Sequence, residues 1–312
     1  MSTTPPASGN SRRVAAGLVW AGWVALVLIT AIGFTAQWLP AADLINDVRP
    51  LAALVALALF VLAVGLRDWR LIRPTAALAL LHAGLLLLPW ARAADRAGGP
   101  PALRLVSIDL GVDDERFDDV ADFILGAGAD IVLLQQVSCS AAERLIPKLE
   151  PAFANAFVSA DGCAGQALLA KRPWSAVGQT VTAARKPLLM SASFQWDKVA
   201  FTLIGASLSG PLAPAAQADE FARLRAYLAS QGPAQIVAGA LNLTPFTWKI
   251  AQLQNDGFGQ HATYLATAPD QWPMFLLDNV LSTEGIASVR VTTGPALGTE
   301  HRPLIADIAF AK

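Results

Sequence analysis

The stretch Ile236-Val-Ala-Gly-Ala-Leu-Asn-Leu-Thr-Pro245 changes from apolar to polar at Gly239. Residues 236–238 have the composition of a buried strand, and the residues after Gly239 include Asn242 and Thr244. This pattern is typical of a strand that delivers side chains to a site at its carboxyl end. Asn242 on its own is equally a turn residue that tolerates left-handed backbone geometry. The rest of the chain is needed to choose between these interpretations.

Five other segments of the chain accompany this stretch, and all but the last of them pass from an apolar run to a polar residue. They are Leu103-Arg-Leu-Val-Ser-Ile-Asp109, Ile131-Val-Leu-Leu-Gln-Gln136, Phe201-Thr-Leu-Ile-Gly-Ala-Ser-Leu-Ser-Gly-Pro211, Phe275-Leu-Leu-Asp278 and Gly298-Thr-Glu-His-Arg-Pro303. In this order and spacing, the set resembles the endonuclease/exonuclease/phosphatase superfamily, the DNase I-like metal-dependent phosphoesterases. The resemblance covers about Leu103 to Phe310. It implies an α/β domain built as a two-sheet β-sandwich flanked by helices.

The composition separates the chain into an apolar and a polar part. The chain is 54% hydrophobic and 15% charged, its mean hydropathy is +0.46, and the apolar excess lies in the N-terminal part. These values indicate a membrane protein with a soluble domain. The formal net charge of −1 gives no basic surface of the kind that nucleic-acid binders carry, so nucleic acid is not an expected partner.

Four segments follow from the distribution of apolar residues. Residues 1–13 are polar and predict a disordered cytoplasmic tail. Residues 14–90 predict a membrane domain of three helices, at about 14–38, 51–66 and 74–90. Residues 91–102 form a Gly/Pro-containing linker, and residues 103–312 form the superfamily-like domain. His82, inside the third apolar run, is predicted to be a helix-packing residue rather than part of a proton relay.

Arginine residues predict the orientation in the membrane. They are more numerous in the tail and the loop between the second and third runs (Arg12, Arg13, Arg67, Arg70 and Arg73) than on the other side (Arg49, Arg92 and Arg96). Positively charged loops stay in the cytoplasm. Three crossings then place the C-terminal domain outside the cytoplasm, on a multi-pass protein of a bacterial-type inner membrane.

Apolar runs predict the elements of the C-terminal domain. Strands are expected at 103–108, 131–134, 166–170 and 200–206, in addition to 236–238. One helix is expected to turn Phe117, Val120, Ala121 and Ile124 to one side, a second spans about 219–228, and a shorter one starts near Thr247.

The resemblance assigns roles to several polar residues. Asn242, Asp278 and His301 match catalytic positions of the superfamily, where an Asn faces the phosphate and an Asp orients a C-terminal His. Asp109 and Glu300 stand where the superfamily has a metal-binding Asn and Asp, and both keep oxygen atoms that bind Mg²⁺ or Mn²⁺. These positions imply a divalent cation if the protein is active, and none if it is not.

Three other positions depart from the superfamily pattern. Gln136 replaces the metal-bridging Glu, Ser207 replaces a phosphate-contacting His, and Ala240 replaces the Asp that orients the attacking water. Loss of a general base alone typically lowers a rate by about 10² to 10⁴. Whether the protein is an enzyme therefore stays uncertain, although its resemblance is to metal-dependent hydrolases.

Three functions remain open. The replaced residues favour a catalytically impaired protein or pseudoenzyme that binds an anionic or phosphorylated ligand, or a partner protein, near the membrane. The second alternative is an active metal-dependent phosphoesterase whose displaced cation is bound by Asp109, Glu300 and Asp278. The third is a structural membrane assembly protein. The expected partners are the lipid bilayer and a phosphorylated small molecule or lipid headgroup.

The chain contains only two cysteines, Cys139 and Cys163, and both lie in the C-terminal domain. An even number of cysteines in an exported domain favours pairing. We therefore predict a disulfide between Cys139 and Cys163, which would stabilise the domain by about 3 kcal/mol in the chain-entropy model.

Overall fold

The computed structural model describes residues 9–92, 100–111, 116–159, 165–181, 187–261, 265–284 and 286–310. The chain divides into two compact units, Met1–Ala91 and Arg92–Lys312. Helices in the described residues are α1 Gly9–Gly33, α2 Asp43–Asp47, α3 Arg49–Leu66, α4 Trp69–Arg92, α5 Phe117–Gly126, α6 Cys139–Arg144, α7 Ile146–Leu149, α8 Pro214–Ala229 and α9 Trp248–Asn255. The strands are β1 Leu103–Asp109, β2 Ile131–Val137, β3 Asn155–Ser159, β4 Gly165–Ala170, β5 Trp174–Val181, β6 Pro187–Trp196, β7 Val199–Ala206, β8 Gln235–Gly239, β9 Gly259–Gln260, β10 Asn279–Ser282, β11 Ile286–Thr293 and β12 Leu304–Phe310.

The N-terminal unit is helical throughout most of its described length. Three segments are long and apolar enough to cross a membrane: Ser11–Gln37, Arg49–Leu66 and Trp69–Pro89. Their mutual contact buries apolar side chains from all three, while large side chains such as Leu18 and Leu54 are exposed on the outer surface. His82 is buried, with its Nε2 3.1 Å from the Thr30 hydroxyl oxygen, which agrees with a helix-packing role.

The ends of these helices differ from the predicted ones. Helix α1 begins at Gly9, so residues 9–13 are helical rather than part of a disordered tail, and the Arg12 guanidinium donates to the carbonyl oxygen of Leu66 at the end of α3. The connection between α3 and α4 is shorter than predicted because Asp68 accepts a hydrogen bond from the Arg70 N–H and starts the helix early. Residues 1–8 of the tail and 93–99 of the linker lie outside the described residues.

The C-terminal unit contains two six-stranded sheets. The first sheet has the order β11-β12-β1-β2-β4-β3 and the second has the order β5-β6-β7-β8-β10-β9. In each sheet one central pair is parallel, β1 with β2 and β7 with β8, and the other pairs are antiparallel. Each parallel pair brings two carboxyl ends to one edge of its sheet, where following loops can meet.

Both faces of the central strands are covered. Leu105 of β1 points into the core between the two sheets, whereas Val106 and Ile108 pack against α5, α6 and α7. On the outer face of the second sheet, Ile204 and Val237 pack with side chains of α8 and α9. This burial on both faces explains why these strands read as nearly continuous apolar runs. The unit is therefore a two-sheet α/β sandwich flanked by helices, as the sequence predicts.

Gly239 connects β8 to the loop that carries Asn242. Its φ of +133° lies in the region that favours glycine, and a Cβ atom there would overlap the carbonyl oxygen of Ala206 at the end of β7. The apolar-to-polar change at Gly239 thus marks the point where the ends of two parallel strands approach most closely.

Candidate functional site

Asp109 ends β1 at the edge where the two sheets meet. Its carboxylate is buried, and its Oδ1 accepts a long hydrogen bond of 3.4 Å from the Gly111 N–H. A hydrogen bond with the Gln136 side chain also favours the ionised form of Asp109 and lowers its pKa. Its Oδ2 has no hydrogen-bond partner among the described residues. Hydrogen bonds from Glu300 N to Leu110 O (3.2 Å) and from His301 N to Asp109 O (3.3 Å) hold the loop before β12 against this strand end.

His301 links the two sheets through Asp278. Its Nδ1 lies 2.8 Å from Oδ2 of Asp278, which precedes β10 in the second sheet, and 3.9 Å from Oδ2 of Asp109 in the first. The 2.8 Å contact is a close ion pair, because the geometry at His301 Nδ1 does not align an N–H with a carboxylate oxygen. The same Asp278 oxygen accepts a hydrogen bond from the Thr267 hydroxyl.

The charges in this cluster shift the ionisation of its members. Burial by itself lowers the pKa of His301, but the adjacent carboxylates of Asp278, Asp109 and Glu300 outweigh it and raise that pKa to about 9. Burial raises the pKa of Asp109 to about 7; His301 opposes this rise, and the charges of Asp278 and Glu300 add to it. His301 is therefore an imidazolium at neutral pH.

Gln136 takes up a position beside Glu300. It lies at a bulge in β2 with a φ of +54°, which turns its side chain toward the loop before β12. Its Nε2 donates to Oε2 of Glu300 at 2.6 Å. A glutamate at this position would repel Glu300 unless a cation lay between the two carboxylates. The neutral amide of Gln136 instead donates a hydrogen bond to Glu300, so the two side chains can lie together without a cation.

These contacts decide how well the residues fit a divalent cation. Mg²⁺ and Mn²⁺ need several oxygen ligands that are free to face the ion. Here Glu300 accepts from Gln136, Asp278 accepts from Thr267 and faces an imidazolium, and Asp109 is the acid whose Oδ2 remains without a hydrogen bond. In the part of the chain that the structure describes, no three Asp, Glu, His or Cys side chains are grouped to hold a metal.

The described arrangement thus does not fit the cation that the superfamily resemblance implies. The predicted metal role of Asp109, Glu300 and Gln136 stays a prediction, because further acidic residues follow β1. Residues 112–115, which include Asp113, Asp114 and Glu115, lie outside the described residues.

The edge of the second sheet carries few ionisable groups at the superfamily positions. Ala240 is fully buried, and its carbonyl oxygen accepts a hydrogen bond of 3.0 Å from the Leu208 N–H. Ser207 is half-buried, and its N–H donates to the Leu188 carbonyl oxygen at 3.2 Å. Neither side chain can accept a proton from water at neutral pH, so neither position 207 nor position 240 supplies a general base.

Asn242 connects three loops through its side chain and backbone. Its Nδ2 donates to the Leu208 carbonyl oxygen at 2.7 Å, its N–H donates to Leu277 O at 2.9 Å, and its carbonyl oxygen accepts from Gln217 Nε2 at 2.9 Å. Its φ of +52° is left-handed. The turn role that sequence allowed for Asn242 is therefore present, whereas a contact with phosphate stays a prediction.

The structure brings some predicted residues together and separates others. Asp109, Gln136, Glu300, His301 and Asp278 form one cluster that joins the two sheets. Asn242 and Ala240 belong to the neighbouring loops, where their described hydrogen bonds are with backbone atoms of Leu208 and Leu277 and with the Gln217 side chain.

Sequence reasoning missed two residues that organise the site. Thr267 holds Asp278, and buried Asp270 accepts hydrogen bonds from the N–H groups of Leu297 (3.3 Å) and Gly298 (2.8 Å) in the loop before His301. The pair Pro269-Asp270 is a turn signal in the sequence. That signal could have located the turn, but not the loop that Asp270 contacts.

The disulfide prediction cannot be followed over both of its residues. Cys139 begins α6, directly after Ser138, whose Oγ accepts from the Ala141 N–H at 3.1 Å and caps the helix. Cys163 lies outside the described residues. Cys139 is disulfide-bonded in the structure, and Cys163 is the one other cysteine in the sequence.

Several solved structures share this fold. Truncated TDP2 from Caenorhabditis elegans is 16% identical, with a TM-score of 0.54 over 67% of this chain and 98% of that chain. An endonuclease/exonuclease/phosphatase family protein from Bacteroides thetaiotaomicron is 11% identical, with a TM-score of 0.56 over 67% and 98%. A family protein from Leptotrichia buccalis is 12% identical, with a TM-score of 0.55 over 67% and 100%. No curated protein matches the chain.

At these identities the likeness shows the fold, and the sequence profile supplies the family. The profile of the Endonuclease/Exonuclease/phosphatase family matches residues 110–301, which is more than half of the chain and runs from the end of β1 to His301. The protein therefore belongs to the Endonuclease/Exonuclease/phosphatase family.

Proposed function

We propose that this protein is a membrane-anchored family member that lacks the family's metal-dependent hydrolysis and instead binds an anionic or phosphorylated ligand, or a partner protein, near the membrane. The observation that carries the proposal is the internal pairing of the remaining charges. Gln136 donates to Glu300 at 2.6 Å, and His301 lies 2.8 Å from Asp278. The charges that a cation and a phosphate would otherwise balance are already balanced by protein groups.

The chemistry of hydrolysis gives a second reason. A phosphodiester needs a water that is oriented and deprotonated, and its developing negative charge must be met by donors. Ala240 offers no base, and Ser207 offers a neutral hydroxyl in place of an imidazole. Each loss typically lowers the rate by orders of magnitude, although such effects do not simply multiply.

The membrane setting supports the kind of ligand. Three apolar helices precede the domain, and the arginine distribution favours a C-terminal domain outside the cytoplasm of a bacterial-type inner membrane. Lipid headgroups and phosphorylated small molecules are abundant anions at such a surface.

One observation favours a second candidate, an active phosphoesterase with a displaced metal site. Oδ2 of Asp109 is buried without a hydrogen-bond partner in the described chain, as a carboxylate oxygen waiting for a ligand would be. Family membership adds weight, since a divalent cation is typical of the family. Asp109, Glu300 and Asp278 would be its ligands in that case.

A hydrolysis assay on the full-length chain in detergent distinguishes the two candidates. Bis(4-nitrophenyl) phosphate with Mg²⁺ or Mn²⁺ should be hydrolysed no faster by the parent than by buffer. The combined change Ala240→Asp, Gln136→Glu and Ser207→His should create metal-dependent hydrolysis, and His301→Gln added to those three should abolish it again.

The opposite pattern supports the second candidate. Substantial metal-dependent activity of the parent, lost on Asp109→Ala or Glu300→Ala but kept on Asp219→Ala, would overturn the non-catalytic proposal. Asp219 is a suitable control because its exposed carboxylate pairs with Arg223 on the surface of α8.

A further inference from the structure

A tight turn next to the site exposes an unusual number of apolar side chains. Trp272 is 79% exposed, Met274 is 68% exposed and Phe275 is 42% exposed. Single exposed apolar residues are common on soluble domains and need no explanation. Three of them within four residues form a contiguous apolar surface, which more often marks a site of interaction. We call residues 268–275 the apolar turn.

The apolar turn is firmly built. Ala268 and Phe275 form an antiparallel bridge, in which the Ala268 carbonyl oxygen accepts from the N–H groups of Met274 (2.8 Å) and Phe275 (2.9 Å). Asp270, inside the turn, holds the loop at Gly298 through its carboxylate. The backbone that carries the exposed side chains is therefore fixed by hydrogen bonds, so that little conformational entropy is lost when these side chains contact a partner.

A cation is held at the base of the apolar turn. The Arg302 Nε donates to the carbonyl oxygen of Asp270 at 2.8 Å, which fixes the guanidinium at the base of the turn. Aromatic side chains next to arginine are typical of protein surfaces that sit at the boundary between water and lipid, where Trp occupies the headgroup level and Arg contacts phosphate.

We propose that the apolar turn seats on the lipid headgroup region of the membrane in which this chain is anchored, with Trp272, Met274 and Phe275 entering the interface and Arg302 meeting lipid phosphate. A bilayer is the partner that this chain would have within reach, because three of its helices are long and apolar enough to cross one. Tethering keeps the effective concentration of such a surface high, so a weak contact suffices.

The length of the tether allows this contact. Residues 93–102 separate α4 from β1 and span at most about 35 Å when extended. Strand β1 runs from the tether toward the site, and its seven residues cover about 20 Å. The apolar turn lies at the far end of β1, where Asp270 N donates to Glu300 O. The tether is thus long enough for this end of the domain to reach the membrane.

Contact with lipid would place the site at the level of the headgroups. The apolar turn is continuous with the site, since Thr267 holds Asp278 and the Arg302 N–H donates to Thr267 O at 2.9 Å. The proposal does not depend on whether the site is catalytic, so the hydrolysis assay and a lipid-contact assay can fail separately.

The test uses the full-length protein reconstituted in liposomes of phosphatidylcholine and phosphatidylglycerol. An environment-sensitive NBD fluorophore is attached at Met274→Cys, and lipids with a nitroxide near the headgroup end of the acyl chain serve as quenchers. The matched control is Leu125→Cys, which lies on α5 and is 45% exposed. The parent chain, treated identically, gives the background from Cys139 and Cys163.

Lipid contact predicts a blue-shifted NBD signal at position 274 that nitroxide lipids quench, and an unshifted, weakly quenched signal at position 125. Trp272→Ser with Phe275→Ser should remove the quenching at position 274 without changing the thermal unfolding midpoint. Equal quenching at both positions would overturn the proposal. A blue shift at position 274 without lipid quenching would also overturn it, since a protein partner or a second copy of the chain would then cover the turn.

Discussion

The two edges that meet at the site differ in what they retain. The first-sheet edge carries Asp109, Gln136, Glu300 and His301, and these side chains contact one another or Asp278 across the gap. Besides Asp278, the second-sheet edge carries Ser207, Ala240 and Asn242. Their described hydrogen bonds run to backbone groups, apart from the one that the Asn242 carbonyl oxygen accepts from the Gln217 side chain.

The difference separates side chains that the fold can pair internally from side chains that hydrolysis would need to keep unpaired. Charged residues persist where a partner within the protein balances them, as His301 balances Asp278. At positions 240 and 207, where the superfamily resemblance implies a base and an imidazole that stay unpaired until a substrate arrives, this chain has small neutral side chains. We infer that the site balances its own charges without a divalent cation.

The largest effect is expected from breaking the pair that joins the edges. Asp278→Ala leaves the His301 imidazolium buried without its closest counter-ion, which should lower the free energy of unfolding of the C-terminal domain by about 3–5 kcal/mol. Urea unfolding of the full chain in detergent, followed by tryptophan fluorescence, measures this loss.

Asp219→Ala is the matched control for that prediction, because it removes an exposed carboxylate and should cost less than about 1 kcal/mol. A loss at Asp278 no larger than the loss at Asp219 would show that the two edges are not coupled through His301.

The next prediction concerns the pH range in which the ion pair between His301 and Asp278 stabilises the domain. Because the pKa of His301 is raised from its ordinary value of 6.5 to about 9, its contribution to stability is fully present below pH 6.5 and is lost as the pH rises through 9. The full contribution is on the order of 3 kcal/mol.

The raised pKa of Asp109, about 7, acts in the same direction, since a buried acid loses its favoured neutral form as the pH rises. NMR titration of His301 in the full chain should give a midpoint near 9 that falls in Asp278→Asn. A midpoint close to 6.5 in the parent would show that the ion pair with Asp278 does not raise the pKa of His301.

On the second-sheet edge, Asn242 should matter for stability. Asn242→Ala loses the hydrogen bond to Leu208 O and puts alanine, which lacks the side-chain amide that makes Asn tolerant of this conformation, at a left-handed φ; together these changes should cost about 1–2 kcal/mol. Asn242→Gly loses the hydrogen bond but relieves the backbone, so it should cost less than Asn242→Ala. Equal stability of all three chains in urea unfolding would instead favour a role for Asn242 in ligand binding alone.

The smallest effect is expected at Gln136. Gln136→Glu places a second carboxylate beside Glu300 and should cost about 0.5–1 kcal/mol in the absence of divalent cations. Added Mg²⁺ should reverse that loss of stability, because the change places two carboxylates next to each other that a cation can bridge. The parent, measured in parallel, should not respond, and a gain in parent stability of the same size would contradict internal charge balance.

Much of the fold could be predicted because the relevant signals are local. The strand predicted at 103–108 forms as β1, and the helix predicted from Phe117, Val120, Ala121 and Ile124 forms as α5 with all four side chains buried. The apolar runs likewise located three helices that are long and apolar enough to cross a membrane. Helix ends were less predictable, since the start of α4 depends on one hydrogen bond from Arg70 to Asp68.

The contacts within the site could not be predicted to the same extent, because they depend on long-range pairing. The resemblance located Asp278 and His301, but that Gln136 faces Glu300 follows from a bulge in β2 that no local residue pattern announces. Asp270 acts on a loop almost thirty positions away along the chain, at Gly298. Such partners are chosen by the packing of two sheets rather than by sequence neighbours.

Calorimetric titration of Mn²⁺ into the full-length protein tests the central claim most directly, because the intact chain also contains the acidic residues 113–115. Internal charge balance predicts no saturable heat beyond that of dilution, and no difference between the parent and Asp109→Ala. Saturable binding of one or two ions that disappears in both Asp109→Ala and Glu300→Ala, but not in Asp219→Ala, would contradict the account and establish a metal site at these two edges.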